Sequence, residues 1–186
     1  NAGYGITDTG TNTTIVIAKN IIDTVTLKGL AFSGAATTYG GLRFIEGNTV
    51  YSAGDSGMEV TDADLPVCLI NNIFTENGKT VGAGAFNVEW AAGTAEFTSF
   101  HGWNVFYQST AQANLSGITQ NAQVASSEFI TDPLFTNAAG GDFSIGASSP
   151  AKATGFPGQF LGGSLGYLDI GAVQRQEPAG GSGSPN

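Results

Sequence analysis

Three glutamates supply the acid–base chemistry that this sequence offers. Hydrolysis of a glycosidic bond uses two carboxyl groups, one as proton donor and one as base or nucleophile. The candidates are Glu76, Glu89 and Glu96. Glu76 and Glu96 would face each other if they lay on neighbouring turns of the fold, which the sequence alone does not establish.

His101 is the only histidine and Cys68 is the only cysteine. Imidazole titrates near neutral pH, so His101 is a candidate proton carrier. The alternative for His101 is a packed side chain or one bonded within a turn. Cys68 lies between Val67 and Leu69, which favours a buried thiol over a reactive one. A single histidine and a single cysteine are too few for an ordinary zinc site.

A polysaccharide lyase would need a base, together with calcium or another cation that holds the carboxylate of its substrate. The basic residues are scattered along the chain: Lys19, Lys28, Arg43, Lys79, Lys152 and Arg175. The weak candidates for calcium ligands are Glu59, Asp62 and Asp64. Their spacing does not match an EF-hand loop, so a solvated loop is the alternative. We expect no cofactor, with calcium as the exception to test.

Trp90, Trp103 and Tyr107 belong to an aromatic segment of the chain. Such side chains stack on sugar rings or form the centre of a protein contact. They are therefore candidate residues for ligand binding or for an interface. The alternative is that they fill the core or cover the face of a sheet.

The composition limits the partners. The net charge is −9, with six Lys and Arg residues in 186, so no basic patch can be assembled for nucleic acid or an anionic membrane surface. No segment is apolar enough to span a membrane. A neutral glycan or another protein chain is the partner that this charge favours. Gly is abundant, at 28 residues, which suits many turns.

The segment Leu69–Gly78 predicts how the chain folds locally. Two short apolar runs flank Asn71 and Asn72, and Asn77-Gly78 follows. Asn tolerates the left-handed backbone region, so the pattern predicts a strand, a sharp corner and a second strand. One such unit cannot bury its apolar side alone, and we expect it to stack on similar units.

Two matches at one offset indicate a repeat. Leu27 and Leu30 lie 43 residues before Ile70 and Ile73, and the segment 40–45 lies 43 residues before the segment 83–88. A period of 43 favours two stacked coils of about 21 residues over a propeller blade. The apolar runs expected to form strands are Ile15–Ala18, Val25–Phe32, Leu42–Ile45, Val67–Phe74, Ala85–Val88, Phe97–Phe100 and Val105–Tyr107.

The chain divides into three expected parts. Residues 1–127 are predicted to form the coils, with residues 1–12 as an N-terminal loop and Asn48–Pro66 as a loop that leaves one corner. Residues 128–176 are predicted to close the stack, with Leu134 and Phe135 over its end. Residues 177–186 have the composition of a flexible tail rich in Gly, Ser and Pro.

Four motifs of the closing part carry a family resemblance. They are Thr131-Asp132-Pro133-Leu134-Phe135, Gly141-Asp142-Phe143-Ser144-Ile145, Ser148-Ser149-Pro150-Ala151 and Asp169-Ile170-Gly171-Ala172. In this order they resemble the closing segment of right-handed parallel β-helix proteins. The resemblance implies a right-handed solenoid with three sheets per coil. That family includes polysaccharide lyases and hydrolases, bacterial surface adhesins, and bacteriophage tail, fibre and capsid-decoration proteins.

The expected fold is therefore all-β, a right-handed parallel β-helix with a C-terminal capping segment. The expected function is a non-catalytic structural or adhesive module on a virion or cell surface. Its expected partners are other protein chains, in a homotrimer or a larger surface assembly. The alternatives are an extracellular polysaccharide lyase or glycoside hydrolase, and a module that binds a neutral glycan. We expect neither nucleic-acid binding nor membrane insertion.

Overall fold

The structure, a computed structural model, describes residues 3–10, 14–33, 41–61, 65–78, 80, 85–90, 99–109, 115–116, 128–156 and 168–174. Regular structure in these ranges is almost entirely β-strand. The strands are β1 (Ile6–Asp8), β2 (Ile15–Ala18), β3 (Ile21–Asp23), β4 (Leu30–Phe32), β5 (Arg43–Glu46), β6 (Thr49–Tyr51), β7 (Met58–Val60), β8 (Val67–Ile70), β9 (Ile73–Thr75), β10 (Val88–Trp90), β11 (Phe100–Gly102), β12 (Val105–Tyr107), β13 (Leu115–Ser116), β14 (Phe135–Asn137) and β15 (Asp142–Ile145).

Strands β1 to β13 form three parallel sheets that the chain visits in a fixed rotation. Sheet A consists of β1, β4, β7, β10 and β13, sheet B of β2, β5, β8 and β11, and sheet C of β3, β6, β9 and β12. Neighbouring strands in all three sheets pair in parallel. Each full coil thus adds one strand to each sheet. The prediction of an all-β, solenoid-like stack is confirmed.

The 43-residue repeat predicted from the sequence is wrong. Ile70 pairs with Glu46, and Leu30 pairs with Met58. Leu27 lies outside the strands and is 41% exposed. Equivalent residues of successive coils are 28, 24 and 32 positions apart at the corner between sheets B and C. The coils are longer than 21 residues and unequal, because the connections between the sheets differ in length.

The strand positions agree in part with the apolar runs. The runs Ile15–Ala18, Val67–Phe74 and Val105–Tyr107 contain β2, β8 with the first two residues of β9, and β12. The segment Asn48–Pro66 was expected to be a loop, but it contains β6 and β7. The N-terminal residues were also expected to be a loop and contain β1. These strands have only three residues each, which is too short for a clear alternating pattern.

A sharp corner joins sheet B to sheet C in each described coil. One residue with a positive φ stands at every corner: Lys19 at 58°, Gly47 at 62°, Asn71 at 58° and Trp103 at 51°. An asparagine follows each of them. The left-handed residue reverses the direction of the chain within two positions, as the Asn71-Asn72 pattern predicted.

These asparagines, Asn20, Asn48, Asn72 and Asn104, form an asparagine ladder. The backbone N–H of each donates to Oδ1 of the next, at 3.0, 2.9 and 2.9 Å. The Nδ2 groups of the last three donate to carbonyl oxygens of the preceding coil, on Ile17, Ile45 and Leu69. The ladder satisfies backbone groups that the corner would otherwise bury without partners.

Inward-pointing side chains of the three sheets fill one core. Leu30, Phe32, Ile45 and Leu69 have no exposed surface and belong to this core. The rings of Phe74 and Phe106, which pair on adjacent strands of sheet C, stack with centroids 6.0 Å apart. Each coil therefore covers the apolar side of its neighbour, which is the requirement for stacking.

The closing segment (residues 128–156 and 168–174) packs against the side of the stack. Phe129 first adds a parallel bridge to sheet C at Val105. The antiparallel pair β14 and β15 follows, with a 3-10 helix between them at Ala138–Gly140. The outward-facing Ile73 and Val105 are buried in a second apolar cluster, to which the closing segment contributes Ile145, Ala151 and Ile170. Leu134, expected to cover the end of the stack, is 44% exposed.

Hydrogen bonds bring the motifs of the closing segment together. The hydroxyl of Ser149 donates to the carbonyl oxygen of Pro133 at 2.6 Å. The backbone N–H of Ile170 donates to the carbonyl oxygen of Ala151 at 2.8 Å. The motifs are far apart in sequence but form one unit because each supplies a donor or an acceptor to another.

The same unit is bonded to the corner of the stack. The backbone N–H of Gly171 donates to the carbonyl oxygen of Asn71 at 2.8 Å. The side chain of Asn71 accepts from the N–H of Phe156 at 2.6 Å and donates to its carbonyl oxygen at 2.9 Å. Gly171 has a φ of 103°, and a Cβ there would lie 2.7 Å from Cδ1 of Ile73. Glycine is required at this contact.

We expect Asn72→Ala to lower the free energy of unfolding by about 2–4 kcal/mol, because it removes the buried acceptor of the Asn48 N–H and a buried donor to the carbonyl oxygen of Ile45. Asn20→Ala is the matched control at the exposed end of the ladder, where the loss should stay below about 1 kcal/mol. Chemical denaturation followed by circular dichroism measures both values. Equal losses for the two variants would contradict the role assigned to the ladder.

Candidate functional site

The structure separates the candidate catalytic residues. Glu76 follows β9 at the end of sheet C, Glu89 lies on the outer face of sheet A, and His101 lies inside the stack. Glu96 is outside the described residues, so the expected pairing of Glu76 with Glu96 stays a prediction. Among the described residues, Glu76, Glu89 and His101 do not line a common cleft.

Glu89 instead lies directly beside Glu59, on adjacent strands of sheet A. Parallel strands are about 4.8 Å apart, so these two carboxylates are close neighbours. Lys28 approaches Glu59 Oε1 at 2.7 Å and Asp55 Oδ2 at 3.3 Å. Ser56 donates its hydroxyl to Glu89 Oε2 at 3.0 Å. The arrangement balances part of the repulsion between the two glutamates.

The same contacts perturb Lys28. Burial alone would lower the pKa of Lys28, but the hydrogen bond and charge of Glu59, with those of Asp55, raise the pKa above its ordinary value. The ammonium group therefore stays protonated and paired at neutral pH. Lys28 is a poor candidate for the base that a lyase would need.

The expected calcium ligands are only partly visible. Glu59 is engaged with Lys28, and Asp62 and Asp64 lie outside the described residues. Within the described ranges, no group of three His, Cys, Asp or Glu side chains is arranged to hold a metal ion. A calcium site therefore has no geometric support from the part of the chain that is described.

Glu76 stabilises the corner that follows β9. Its φ is 60°, and its side chain is 8% exposed. Its two carboxylate oxygens accept hydrogen bonds from the backbone N–H and the hydroxyl of Ser109, both at 2.9 Å. These bonds connect the corner to the next coil.

His101 occupies a core position, where it pairs with Leu69 of the preceding coil. It is 7% exposed, and its Nδ1 lies 2.9 Å from Glu128 Oε1. Nδ1 donates to this oxygen in the imidazole tautomer that carries its proton on Nδ1. Nε2 is buried without a hydrogen-bond partner in the described structure. The alternative of a packed and bonded histidine agrees with this environment.

Glu128 occupies the fifth position of the asparagine ladder. The bridge between Val105 and Phe129 places Glu128 next to Asn104, and Asn104 Nδ2 donates to Glu128 Oε1 at 3.1 Å. A carboxylate lacks the amide donor that each earlier asparagine offers to a carbonyl group. The imidazole of His101 contacts the Glu128 carboxylate itself, with Nδ1 2.9 Å from Oε1. The substitution of Glu for Asn and that of His for an aliphatic residue are thus coupled.

Arg43 is also a structural residue. It is fully buried in the column between Ile15 and Val67, inside the stack. Its guanidinium group forms an ion pair with Asp8, with Nε 2.8 Å from Oδ2. A buried and paired guanidinium is not accessible to a substrate.

The three candidate aromatic residues do not form one platform. Trp90 is 8% exposed and belongs to the core, so its expected role at a surface is wrong and the alternative core position is correct. Trp103 stands at the corner between sheets B and C, and Tyr107 ends β12. Both are partly exposed, at separate places on the surface.

An exposed apolar stripe runs across the outer face of sheet B. Its members pair in one column across four coils: Val16, Phe44, Cys68 and Phe100. Val16 is 65% exposed and Phe100 is 39% exposed. We call this column the sheet B stripe. Trp103 and Phe156 extend it, with ring centroids 6.1 Å from Phe100 to Trp103 and 4.7 Å from Trp103 to Phe156.

The sheet B stripe is not evident in the amino-acid sequence. Strand β8 is apolar at both inward and outward positions, so its sequence does not show which residues face solvent. The unequal coil lengths also hide the column, because its members are 28, 24 and 32 residues apart. The recurrence of apolar residues at those three offsets is the sequence signal that could have revealed the column.

Comparisons with known proteins add no assignment. No protein-family model, curated protein or solved structure matches the chain. In the ranges that are described, no helix has the length and apolar character needed to cross a membrane.

We expect His101→Leu to lower the free energy of unfolding by about 2–3 kcal/mol, because the buried carboxylate of Glu128 loses its imidazole partner. The double variant His101→Leu/Glu128→Asn restores the residue types of the preceding coil and should recover most of that loss. A double-mutant cycle from chemical denaturation should give a coupling above about 1 kcal/mol. Additive losses would mean that the two residues act separately.

The pH dependence of Cys68 alkylation tests the environment of the sheet B stripe. Burial raises the pKa of the Cys68 thiol, and the negative charge of Glu46 raises it further. Because the thiolate is the reactive form, the alkylation midpoint should lie at higher pH in the folded chain than in denaturant. Rates of iodoacetamide labelling across alkaline pH measure both midpoints. A folded midpoint at or below the unfolded one would contradict this environment.

Proposed function

We propose that the chain is a right-handed parallel β-helix that acts as a non-catalytic structural or adhesive module on a virion or cell surface. The right-handed sense is supported by a general rule, since connections between parallel strands of one sheet are right-handed in about 98% of cases. The ordered motifs of the closing segment support the family and the surface location by resemblance. Contact with other protein chains is the central activity in this proposal.

The sheet B stripe is the observation that carries the proposal. Its side chains extend over four coils, with Val16 and Phe100 exposed and Phe44 and Cys68 partly exposed between them. Trp103 and Phe156 enlarge the apolar surface at one end. Contiguous exposed apolar surface of this kind marks protein contacts more often than isolated apolar residues do. Aromatic side chains with few charges are typical of the centre of an interface.

We propose a second copy of the chain as the partner for this surface. Two identical stripes have the same spacing of about 4.8 Å between rungs, so their side chains can interdigitate. Lys19 and Glu46 flank the stripe with one charge of each sign. In a two-fold contact, opposite charges of the two copies can meet, although the whole chain has a net charge of −9. A homotrimer or a larger assembly uses the same face in a different symmetry.

The bonding of the candidate catalytic residues supports a non-catalytic role. Glu76 accepts hydrogen bonds from Ser109, Glu128 is within hydrogen-bond distance of His101, and Arg43 forms an ion pair with Asp8. In an enzyme, the neighbouring Glu59 and Glu89 would be the pair to examine, because their separation suits two catalytic carboxylates. For the enzyme alternative, the candidate catalytic pair is therefore Glu59 and Glu89 on sheet A, in place of the pair of Glu76 and Glu96 that was considered from the sequence.

We expect the double variant Val16→Thr/Phe100→Ser to weaken self-association at least tenfold, which corresponds to about 1.4 kcal/mol. The variant removes apolar surface at both ends of the stripe while leaving the inward core unchanged. Sedimentation equilibrium of the wild-type and variant chains measures the association constants. Native mass spectrometry of the wild-type chain gives the number of copies.

The matched control is Ile130→Thr, because Ile130 is 69% exposed but lies outside the stripe. This control should associate as the wild-type chain does. A monomeric wild-type chain at high concentration would refute self-association. Turnover of any substrate in a panel of neutral and acidic polysaccharides, lost in Glu89→Gln, would replace the structural function with the enzyme alternative.

A further inference from the structure

A cleft of about 450 Å³ lies between the outer face of sheet C and the closing segment. We call it the sheet C cleft. Its walls from the stack include Tyr51, Thr75, Glu76 and Tyr107, and the closing segment contributes Asp132 and Phe135. This volume is within the range of sites for small molecules. The cleft lies on sheet C, apart from the sheet B stripe, so it adds a second binding function to the proposed one.

The stack places two tyrosines at defined heights in the cleft. Tyr51, Thr75 and Tyr107 pair in one column on successive strands of sheet C. The two tyrosines are therefore two rungs apart, or about 10 Å between their backbones, with the smaller Thr75 between them. Both rings are partly exposed.

Phe135 fixes one wall of the cleft. The ring of Tyr51 contacts Phe135 and Phe143 edge-on, with centroids 6.4 and 5.4 Å apart. These contacts hold the Tyr51 ring in place before any ligand binds. A held aromatic ring binds with a smaller loss of side-chain entropy than a mobile one.

Carboxylates provide the acceptors of the cleft. The carboxylate of Glu76 lies at the cleft, where its two oxygens accept hydrogen bonds from Ser109. Asp132 is exposed at the opposite wall and accepts from the N–H of Leu134 through Oδ1 at 2.8 Å. Among the described residues that line the cleft, none is Lys or Arg. The electrostatics therefore oppose an anionic ligand and favour one that donates hydrogen bonds.

We propose that the sheet C cleft binds a neutral saccharide of one or two rings. The C–H face of a pyranose ring packs on a tyrosine, and its hydroxyl groups donate to the carboxylates of Glu76 and Asp132. The phenol hydroxyls of Tyr51 and Tyr107 bond the remaining hydroxyls. Uronic acids are excluded because their carboxylates would meet the two acidic side chains.

The test uses the whole chain and saturation-transfer NMR with a panel of neutral sugars: glucose, galactose, mannose, N-acetylglucosamine and their disaccharides. We expect binding with a Kd of about 1 mM for at least one panel member. Tyr107→Ala should weaken that binding at least tenfold, and Asp132→Asn should weaken it severalfold. Tyr107→Phe, which keeps the ring, should retain most of the affinity and the fold.

Tyr4→Ala is the matched control, because Tyr4 is 44% exposed and does not line the cleft. Its affinity should equal that of the wild-type chain. The proposal is overturned if no panel member binds, or if Tyr107→Ala binds as the wild type does while its circular dichroism is unchanged. Binding of glucuronate with equal affinity would also overturn it.

Discussion

The fold depends on the corner between sheets B and C. Each coil turns there within two residues, and the backbone polar groups of the corner are buried directly beside those of the next coil, one rung away. The asparagine ladder satisfies them because each Oδ1 accepts from the preceding coil and each Nδ2 donates back to it. This corner keeps adjacent coils one rung apart, whereas the other connections tolerate coils of 24 to 32 residues.

The fixed corner determines what the surface displays. Because residues alternate between the two faces of a strand, one register at the corner decides every outward column. It aligns Val16, Phe44, Cys68 and Phe100 on sheet B and Tyr51 with Tyr107 on sheet C. Residues that are scattered in sequence thus become continuous surfaces. The interaction sites proposed for this chain follow from that alignment.

The fold could be predicted from the sequence more fully than the sites. The Asn71-Asn72 corner and the flanking apolar runs predicted strand–corner–strand units that stack, because a left-handed corner between short strands is a local feature. The parallel arrangement was predicted from the resemblance of the closing motifs to parallel β-helix proteins. The repeat length was not predictable, since unequal connections leave no constant period. The roles of Glu76 and His101 also required coordinates, because their partners Ser109 and Glu128 are 33 and 27 residues away.

The closing segment covers outward apolar side chains on sheet C, whereas outward apolar side chains on sheet B are exposed in the described part of the chain. The ladder reaches Glu128, which cannot repeat the amide bond, and the chain then leaves the stack and packs along sheet C. There it covers Ile73, a residue with the same apolar character as those of the sheet B stripe. The described part of the chain provides no such cover over Val16 and Phe100, which keep 65% and 39% of their surface exposed. Burial of an apolar side chain contributes about 1.5–3 kcal/mol, so the second copy proposed as the partner would gain on sheet B as the closing segment gains on sheet C.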